Sequence, residues 1–242
     1  MTGPTEWVLI RHGESAGNVA ATRAERLGAD VIELGIRDAD VPLSDTGVEQ
    51  AQALGVRLRA LAPAPQAAWL SPYLRAQETY RLGIEGGPEI TRVLTDERLR
   101  DRELGILDLL TRRGVAARHP EEAARRAHLG KYYHRPPGGE SWADVALRLR
   151  SFLRDAQDGD AETALVVAHD AVVMLLMALL TRMDEPALLD FASRNTVLNA
   201  SVTRLVWDGA AWQVAEFSDV RHLERAGADV TVHPGSPDVE PE

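Results

Sequence analysis

Short apolar runs, each ending at a cluster of polar residues, recur along the chain. Four of them have the length and the nearly unbroken apolar character of strands that are buried on both faces of a sheet. They span residues 7–10, 67–70, 90–94 and 164–168. Because these runs alternate with helix-like stretches, the pattern predicts an α/β protein with a mostly parallel sheet and helices on both faces.

Amphipathic stretches with recognisable helix starts lie between the apolar runs. Thr46 and Glu49 have the spacing of a capping box, and apolar residues then fall on one face until Pro63. Ser141 and Asp144 have the same spacing ahead of a second amphipathic stretch. The pattern therefore predicts two helices that each pack one apolar side on the sheet.

The residues after the second apolar run predict another helix. Ser71 can cap it, and Pro72 suits the first helical position because the φ angle of proline is preset. Arg75 then falls in the first helical turn, close to the end of the preceding strand.

The C-terminal part of the sequence contains a hairpin signal and a polar tail. Two strand-like stretches flank Asp208 and Gly209, which predicts antiparallel strands at a sheet edge. Residues 227–242 are rich in proline and acidic residues, and they predict a disordered tail. Since no repeat and no linker divides the remainder, we expect a single domain over residues 1–226.

The composition restricts the classes of partner. The chain of 242 residues carries 27 Lys and Arg against 37 Asp and Glu, a formal charge of −10. This balance argues against a nucleic-acid surface and against docking on an anionic membrane. The chain contains no cysteine, so nothing in it requires an oxidising compartment, and we expect a cytoplasmic protein.

Basic and histidine side chains follow three of the predicted strands. Arg11 and His12 come directly after the first, Arg75 lies just beyond the second, and His169 follows the fourth. Because the carboxyl ends of parallel strands meet at one edge of a sheet, we expect these side chains to converge. Arginine side chains and helix N-termini bind phosphate oxygens, and a neutral imidazole beside them could attack phosphorus.

A phosphoryl transfer of this kind also needs a proton for the leaving oxygen. A carboxylic acid on a neighbouring loop can supply it. The stretch LRDRELG, residues 99–105, contains Asp101 and Glu103. In an extended loop both side chains would point the same way, so both are candidates.

Five blocks resemble, in this order, the histidine phosphatase superfamily with its phosphoglycerate-mutase-like fold: RHGES, SPYLRAQET, LRDRELG, PPGGES and VVAHD. The resemblance spans about residues 7–217. It implies a three-layer α/β/α fold and His12 as the nucleophile that becomes a phosphohistidine. The phosphate-pocket residues that it implies are Arg11, Arg75, His169 and Asn18.

The acid loop departs from the family pattern. The family's acid is usually a glutamate four residues before a glycine, and counting back four from Gly105 gives Asp101. We expect Asp101 to serve because it is also a carboxylic acid, with Glu103 as the alternative acid and otherwise as a substrate-binding residue. A second departure is Asp170, where the family commonly has glycine, and we expect it to cap the following helix.

The stretch between the acid loop and the GGES block separates phosphatases from mutases. Family mutases carry a longer insertion there and tend to have tyrosine just before the glycine of the acid loop. Here residues 106–136 number 136 − 105 = 31, and the residue before the glycine is Leu104, so both features favour hydrolysis. We expect a small helical cap insertion over residues 106–136, in which Arg112 and Arg113 bind a second anionic group of the substrate.

The sequence thus predicts a metal-independent phosphatase that hydrolyses a small phosphomonoester and needs no cofactor. Two alternatives keep the same fold: a mutase with a bisphosphorylated cofactor, and a non-catalytic module that binds a phosphorylated ligand. A third is a metal-dependent hydrolase with His12, Glu14, His169 and Asp170 as ligands, although no closely spaced ligand pair supports it. The expected partners are a small phosphorylated substrate and at most further copies of the chain, not nucleic acid or a membrane.

Overall fold

The sheet of the computed structural model has the predicted mixture of strand directions. The model describes residues 3–85, 87, 89–157 and 160–233. Its strands are β1 (Glu6–Arg11), β2 (Ala67–Leu70), β3 (Arg92–Thr95), β4 (Thr163–Ala168), β5 (Val202–Trp207) and β6 (Trp212–Asp219). They form one sheet in the order β3-β2-β4-β1-β5-β6. The first four strands pair in parallel, whereas β5 is antiparallel to β1 and β6 to β5, which confirms a mostly parallel sheet with a hairpin at its edge.

The helices of the described chain connect these strands. They are α1 (Ala16–Arg26), α2 (Asp45–Arg59), α3 (Leu74–Ile84), α4 (Arg112–Arg118), α5 (Pro120–Tyr133), α6 (Trp142–Ala156), α7 (Asp170–Leu180), α8 (Glu185–Arg194) and α9 (Arg221–Ala226). In the part of the chain that the structure describes, no helix is both long and apolar enough to cross a membrane.

Alternating residues of the central strand contribute to two hydrophobic cores. Trp7 and Leu9 of β1 pack against α6 and α7, and the Phe152 ring lies edge-on to Trp7 at 6.2 Å between centroids. Val8 and Ile10 pack on the other face, against α2 and α3. Successive strand side chains point to opposite faces, and both faces of β1 are covered, which explains its unbroken apolar run. The predicted three-layer α/β/α architecture is therefore confirmed.

One of the two predicted capping boxes is confirmed. Ser141 and Asp144 form theirs at the start of α6. At α2 the cap is Ser44, whose hydroxyl accepts a backbone hydrogen bond from the first turn. The predicted capping box at Thr46 and Glu49 is therefore wrong, because Thr46 already lies inside the helix.

Two other local predictions are wrong. The third strand spans Arg92–Thr95 instead of 90–94, and all four of its side chains are exposed because it lies at the sheet edge. The helix after β2 begins at Leu74 and not at Pro72, and its N-cap position is occupied by Tyr73 without a side-chain hydrogen bond. Ser71 therefore does not cap this helix, although Arg75 does lie in the first turn.

The insertion over residues 106–136, called the cap below, contains α4 and α5. Thr111 caps α4, and its backbone N donates to the carbonyl O of Asp30 at 3.1 Å. This contact ties the cap to the loop after α1. Gly130, with φ 76° and ψ 166°, interrupts the helical backbone near the end of α5.

The C-terminal segment differs from the expected tail over its first residues. After α9, Gly227 adopts the left-handed conformation with φ 71°. Residues 228–233 then return to the sheet, where a side-chain amide of α2 donates to the carbonyl O of Asp229 at 2.8 Å and His233 is buried. Polar hydrogen bonds hold this stretch, and its apolar content gave no sign of them. Residues 234–242 of the expected tail lie outside the described residues.

Candidate active site

The carboxyl ends of β1 and β4 bring two histidines together. His12 follows β1 directly, and its backbone N donates to the carbonyl O of Ala168 at 3.0 Å. His169 follows β4 at the N-cap position of α7, and the two ring centroids lie 5.2 Å apart. Arg75, in the first turn of α3, places its Nε 3.2 Å from His12 Nε2. Side chains predicted at three strand ends therefore converge.

Hydrogen bonds hold the His12 ring in one tautomer. Its Nδ1 lies 2.6 Å from the carbonyl O of Gly13, so Nδ1 carries the proton and donates it there. The lone pair is then on Nε2, which accepts from Arg75 Nε. Burial, reinforced by the charge of Arg75, lowers the pKa of His12 well below its usual range. The ring is therefore neutral near pH 7 and can act as a nucleophile through Nε2.

The loop after His12 packs backbone against backbone. A Cβ on Gly13 would lie 2.6 Å from the carbonyl O of Gly47, and one on Gly47 would lie 1.9 Å from the carbonyl O of Glu14. The backbone N of Gly13 also donates to Thr79 Oγ1 at 3.0 Å. Glycine is required at both positions, and the contacts fix the loop against α2 and α3.

Two carboxylates surround the Arg75 guanidinium. Arg75 Nη1 donates to Asp38 Oδ1 at 2.9 Å, and Nη2 donates to Asp101 Oδ2 at 3.1 Å. Burial raises the pKa of Asp38, and the charge of Arg75 opposes that rise. A guanidinium offers the same fork of donors to phosphate oxygens. The carboxylates therefore mark where phosphate oxygens can bind.

Backbone carbonyls anchor the Arg11 guanidinium. Nη1 donates to the carbonyl O of Val197 at 2.6 Å, and Nη2 donates to that of His233 at 2.8 Å. The side chain is buried, and its Nε has no hydrogen-bond partner among the described residues. Burial lowers the pKa of Arg11, yet an arginine stays charged in proteins. This anchored cation can thus donate to an incoming phosphate group.

Ser71 fixes His169 instead of capping a helix. The Ser71 Oγ lies 2.7 Å from His169 Nε2, and the Nδ1 of the same ring lies 3.3 Å from Asp101 Oδ2. Burial and then the charge of Arg75 lower the pKa of His169 well below its usual range. With the Ser71 hydroxyl donating to Nε2, the neutral ring carries its proton on Nδ1, facing Asp101.

The two candidate acids occupy different places. Asp101 Oδ2 lies 3.1 Å from Arg75 Nη2 and 3.3 Å from His169 Nδ1. Glu103 is exposed, and its Oε1 accepts from the Tyr73 hydroxyl at 3.2 Å. Asp101 therefore lies inside the cluster of cations and histidines, and Glu103 lies at its rim.

Asn18 lies in the first turn of α1, within a capping box. Its Oδ1 accepts from the backbone N of Ser15 at 3.1 Å and from Asn199 Nδ2 at 3.3 Å. Asn199 Nδ2 also donates to the carbonyl O of His12 at 3.2 Å. A phosphate contact of Asn18 would therefore use its own Nδ2 group, because Oδ1 is engaged.

The two cap arginines named from the sequence are placed differently. Arg113 donates from Nη1 to the carbonyl O of Gly28 at 2.7 Å, and its Nε lies 3.0 Å from Asp30 Oδ1, with 69% of the side chain exposed. This arginine is tied to the loop after α1 and not to the phosphate cluster. The charge of Arg112, in contrast, acts inside the cap, where it helps to lower the pKa of Lys131.

Lys131 is a candidate that the sequence pattern did not single out. It follows the backbone interruption at Gly130, and its Nζ lies 4.3 Å from the centroid of the Trp142 ring. Burial lowers the pKa of Lys131 to about 8, and the nearby charge of Asp170 opposes this shift. Asp170 directly follows His169, so this ammonium is within electrostatic range of the cluster. A lone lysine in a cap helix carries no motif that could have identified it.

Three further side chains at the site also lack a sequence signal. Asp38 belongs to a short 3₁₀ turn between α1 and α2, Thr79 lies inside α3, and His233 lies in the segment expected to be disordered. Each reaches the site through a contact between distant parts of the chain. Sequence periodicity describes only local structure, so it could not reveal them.

The ligand set of the metal-dependent alternative is not assembled. Glu14 accepts from Ser44 Oγ at 2.6 Å, and its other oxygen lies 2.7 Å from His233 Nε2. Across the ranges that the structure describes, no group of three or more His, Asp and Glu side chains is arranged to hold a metal ion.

Comparison with known proteins identifies similar sequences and folds. Residues 7–220 match the family model described as histidine phosphatase superfamily (branch 1). A metal-independent phosphoserine phosphatase of Arabidopsis thaliana is 29% identical over 224 residues, which cover 92% of this chain and 85% of that protein. A 2,3-bisphosphoglycerate-dependent phosphoglycerate mutase of Methylobacterium sp. (strain 4-46) is 33% identical over 187 residues, covering 72% of this chain and 81% of that protein.

A solved structure supports the same grouping. Mycobacterial glucosyl-3-phosphoglycerate phosphatase in complex with VO3 superposes with a TM-score of 0.67 and 26% identity, over 88% of this chain and 98% of that one. The similar proteins thus include phosphatases as well as a mutase.

Proposed function

The chain belongs to the histidine phosphatase superfamily (branch 1), and from this premise we propose that it hydrolyses a small phosphomonoester through a phosphohistidine at His12, without a metal ion. The family and the phosphatase relatives confirm the predicted enzyme class, a phosphomonoester hydrolase. The observation that carries the proposal is the fixed tautomer of His12, because it leaves the lone pair on Nε2, 3.2 Å from Arg75 Nε.

Arg11, Arg75 and His169 would bind the phosphoryl group in front of His12, and Asn18 would assist from α1. Arg75 would exchange its present carboxylate partners, Asp38 and Asp101, for phosphate oxygens. Buried, anchored cations stabilise the charge of the equatorial oxygens in the transition state because they need no reorganisation during the reaction.

The first displacement would transfer the phosphoryl group to the protein. The lone pair on His12 Nε2 forms the N–P bond, the ester P–O bond breaks, and Asp101 donates its proton to the leaving oxygen. Asp101 suits this role because its carboxyl group lies between Arg75 and His169.

The second displacement would release phosphate. Water attacks phosphorus and gives one proton to the Asp101 carboxylate, while the N–P bond breaks and returns the lone pair to His12. The enzyme is then restored with Asp101 protonated, and the net reaction consumes one water and yields an alcohol and phosphate.

We propose that the cap recognises the leaving group. Lys131 and Arg112 place positive charge on its inner side, suited to a second acidic group such as a carboxylate of the substrate. Phosphoserine, the substrate named for the Arabidopsis relative, is one ester of this class. Glu103 and the Tyr73 hydroxyl would contact the leaving group from the opposite rim.

The experiment that tests this function is phosphate release from a panel of phosphomonoesters in the presence of EDTA. The panel contains phosphoserine, 3-phosphoglycerate, glycerol 3-phosphate, a sugar phosphate, a nucleotide and a phosphopeptide. We expect release from the small esters by the wild type, and release at the background rate by His12→Ala with an unchanged far-UV spectrum, because the nucleophile is gone.

Three outcomes would contradict the proposal. Release by a folded His12→Ala protein would exclude His12 as the nucleophile, and loss of wild-type release in EDTA would favour the metal-dependent alternative. Interconversion of phosphoglycerates that requires 2,3-bisphosphoglycerate, with little release of phosphate, would assign the protein to the mutases.

A further inference from the structure

Residues 228–233 form a C-terminal segment that returns to the loop after β1. Gln50 Nε2 donates to the carbonyl O of Asp229 at 2.8 Å and to Thr231 Oγ1 at 2.9 Å. Gln50 is completely buried, and its Oε1 accepts from the backbone N of Glu14 at 2.8 Å. One buried amide therefore connects the C-terminal segment with the loop that carries the nucleophile.

His233 lies at the end of this segment and makes three polar contacts. Its ring Nδ1 lies 2.6 Å from Thr22 Oγ1, and its Nε2 lies 2.7 Å from Glu14 Oε2. Its carbonyl O accepts from Arg11 Nη2 at 2.8 Å. His233 thus contacts the two charged residues that flank His12 and Gly13 in the sequence.

Glu14 is itself held firmly, so it can anchor the His233 ring. Its Oε1 accepts from the hydroxyl of Ser44 at 2.6 Å, and Ser44 is the N-cap residue of α2. Its backbone N is bound by Gln50. The His233 ring is therefore fixed between α1 and the start of α2, and its backbone carbonyl is fixed with it.

This carbonyl is one of two oxygens that orient the Arg11 guanidinium. The other is the carbonyl O of Val197, which accepts from Nη1 at 2.6 Å. A planar guanidinium that is bound at both Nη atoms has a single orientation, and its remaining N–H groups are directed accordingly. With only one of the two oxygens in place, the group could turn about that single contact.

We propose that His233 is a positioning residue of the phosphate pocket: its ring, held by Thr22 and Glu14, keeps its carbonyl against Arg11 and so orients the guanidinium that binds phosphate. This inference rests on the proposed function, because it requires Arg11 to be a phosphate ligand. A donor that is oriented before the substrate arrives binds more tightly than one that must be ordered on binding.

The test compares His233→Ala with a matched variant elsewhere, both in the full-length chain. His134 is also buried, and its Nε2 lies 3.0 Å from Glu122 Oε2 in the cap, so His134→Ala removes a similar histidine–carboxylate contact. For each protein we would measure the inhibition constant of inorganic vanadate, kcat and KM for the best ester of the panel, and the thermal unfolding midpoint.

We expect His233→Ala to raise the vanadate inhibition constant about tenfold, the effect of losing one well-held charge-assisted hydrogen bond. His134→Ala should lower the unfolding midpoint to a similar extent but change the vanadate constant by less than about twofold, because it shares no partner with Arg11. A vanadate constant that stays unchanged in His233→Ala, or that rises equally in both variants, would overturn the inference.

Two further variants keep the test decisive if His233→Ala fails to fold. The Gln side chain of His233→Gln can still donate to Glu14, so it should recover most of the vanadate affinity. Thr22→Val removes a hydroxyl from an exposed residue of α1 and should raise the vanadate constant about threefold, a smaller loss because Glu14 still holds the ring. Wild-type behaviour of Thr22→Val, or no recovery in His233→Gln, would count against positioning.

The failure of this inference can be distinguished from failure of the proposed function. If the wild type hydrolyses esters and binds vanadate while His233→Ala behaves identically, only the role of His233 is refuted. If the wild type neither releases phosphate nor binds vanadate, the proposed function falls and the inference falls with it.

Discussion

The sheet edge and the cap hold their charged side chains in different ways. At the sheet edge, Arg11, His12 and His169 are at most 3% exposed, and each has fixed polar partners. In the cap, the Arg113 and Arg125 side chains are 69% and 51% exposed. Buried, preorganised charges stabilise a transition state strongly, whereas exposed pairs contribute little. The comparison assigns the chemical step to the sheet edge and recognition of the leaving group to the cap.

The largest effect that tests this division should come from the proton donor at the sheet edge. Asp101→Asn preserves the size of the side chain but removes the acid, so kcat for an alkyl phosphate should fall by about two to four orders of magnitude. A nitrophenyl phosphate has a leaving group that needs no proton, and its turnover should fall much less. Steady-state rates on the two esters measure the difference.

Glu103→Gln sharpens the same comparison, since Glu103 lies at the rim. If the loss that depends on the leaving group appears in Glu103→Gln and is missing from Asp101→Asn, the acid is not among the buried groups. The assignment of all chemistry to the sheet edge would then be wrong.

The next effect should come from Lys131 and should be confined to KM. Lys131→Met should raise KM about tenfold for 3-phosphoglycerate, which has a carboxylate, and leave glycerol 3-phosphate unchanged. The pKa of about 8 means that Lys131 is charged near pH 7 and loses its proton as the pH rises through that value. KM of the wild type for 3-phosphoglycerate should therefore rise between about pH 7 and 9, whereas that of Lys131→Met should not. Equal pH dependence in both proteins would exclude the lysine as a carboxylate ligand.

The smallest effect should come from an exposed cation of the same cap. Arg113→Ala should change kcat and KM for every ester of the panel by less than about twofold, because its guanidinium is bound to Gly28 and Asp30 at the surface. A rise in KM as large as that of Lys131→Met would mean that exposure does not separate binding residues from bystanders in the cap.

The sequence predicted the parts of the fold that depend on local periodicity. The buried strands β1, β2 and β4 match their apolar runs, since a parallel strand covered on both faces needs apolar residues at every position. Helix starts were less predictable. Ser44 and Thr46 are both plausible caps, and only packing against the His12 loop, through the contact of Gly13 with Gly47, decides which one begins α2.

The candidate site was predictable where its residues follow strands. His12 and His169 were placed correctly beside each other because strand ends converge in a parallel sheet. His233 and Lys131 were not, because each reaches the site through a long-range contact of a segment without regular apolar pattern. Ser71 shows a third case, in which a residue typical of helix caps has its hydroxyl engaged by a buried histidine.

The most direct test of the central claim is the stereochemical course at phosphorus. An ester whose phosphoryl group is chiral through oxygen isotopes would be hydrolysed by the wild type, and the configuration of the released phosphate determined. Each in-line displacement inverts phosphorus, so attack by His12 followed by attack by water predicts overall retention. Overall inversion would mean that water attacks the ester directly, and it would contradict a phosphohistidine intermediate at His12.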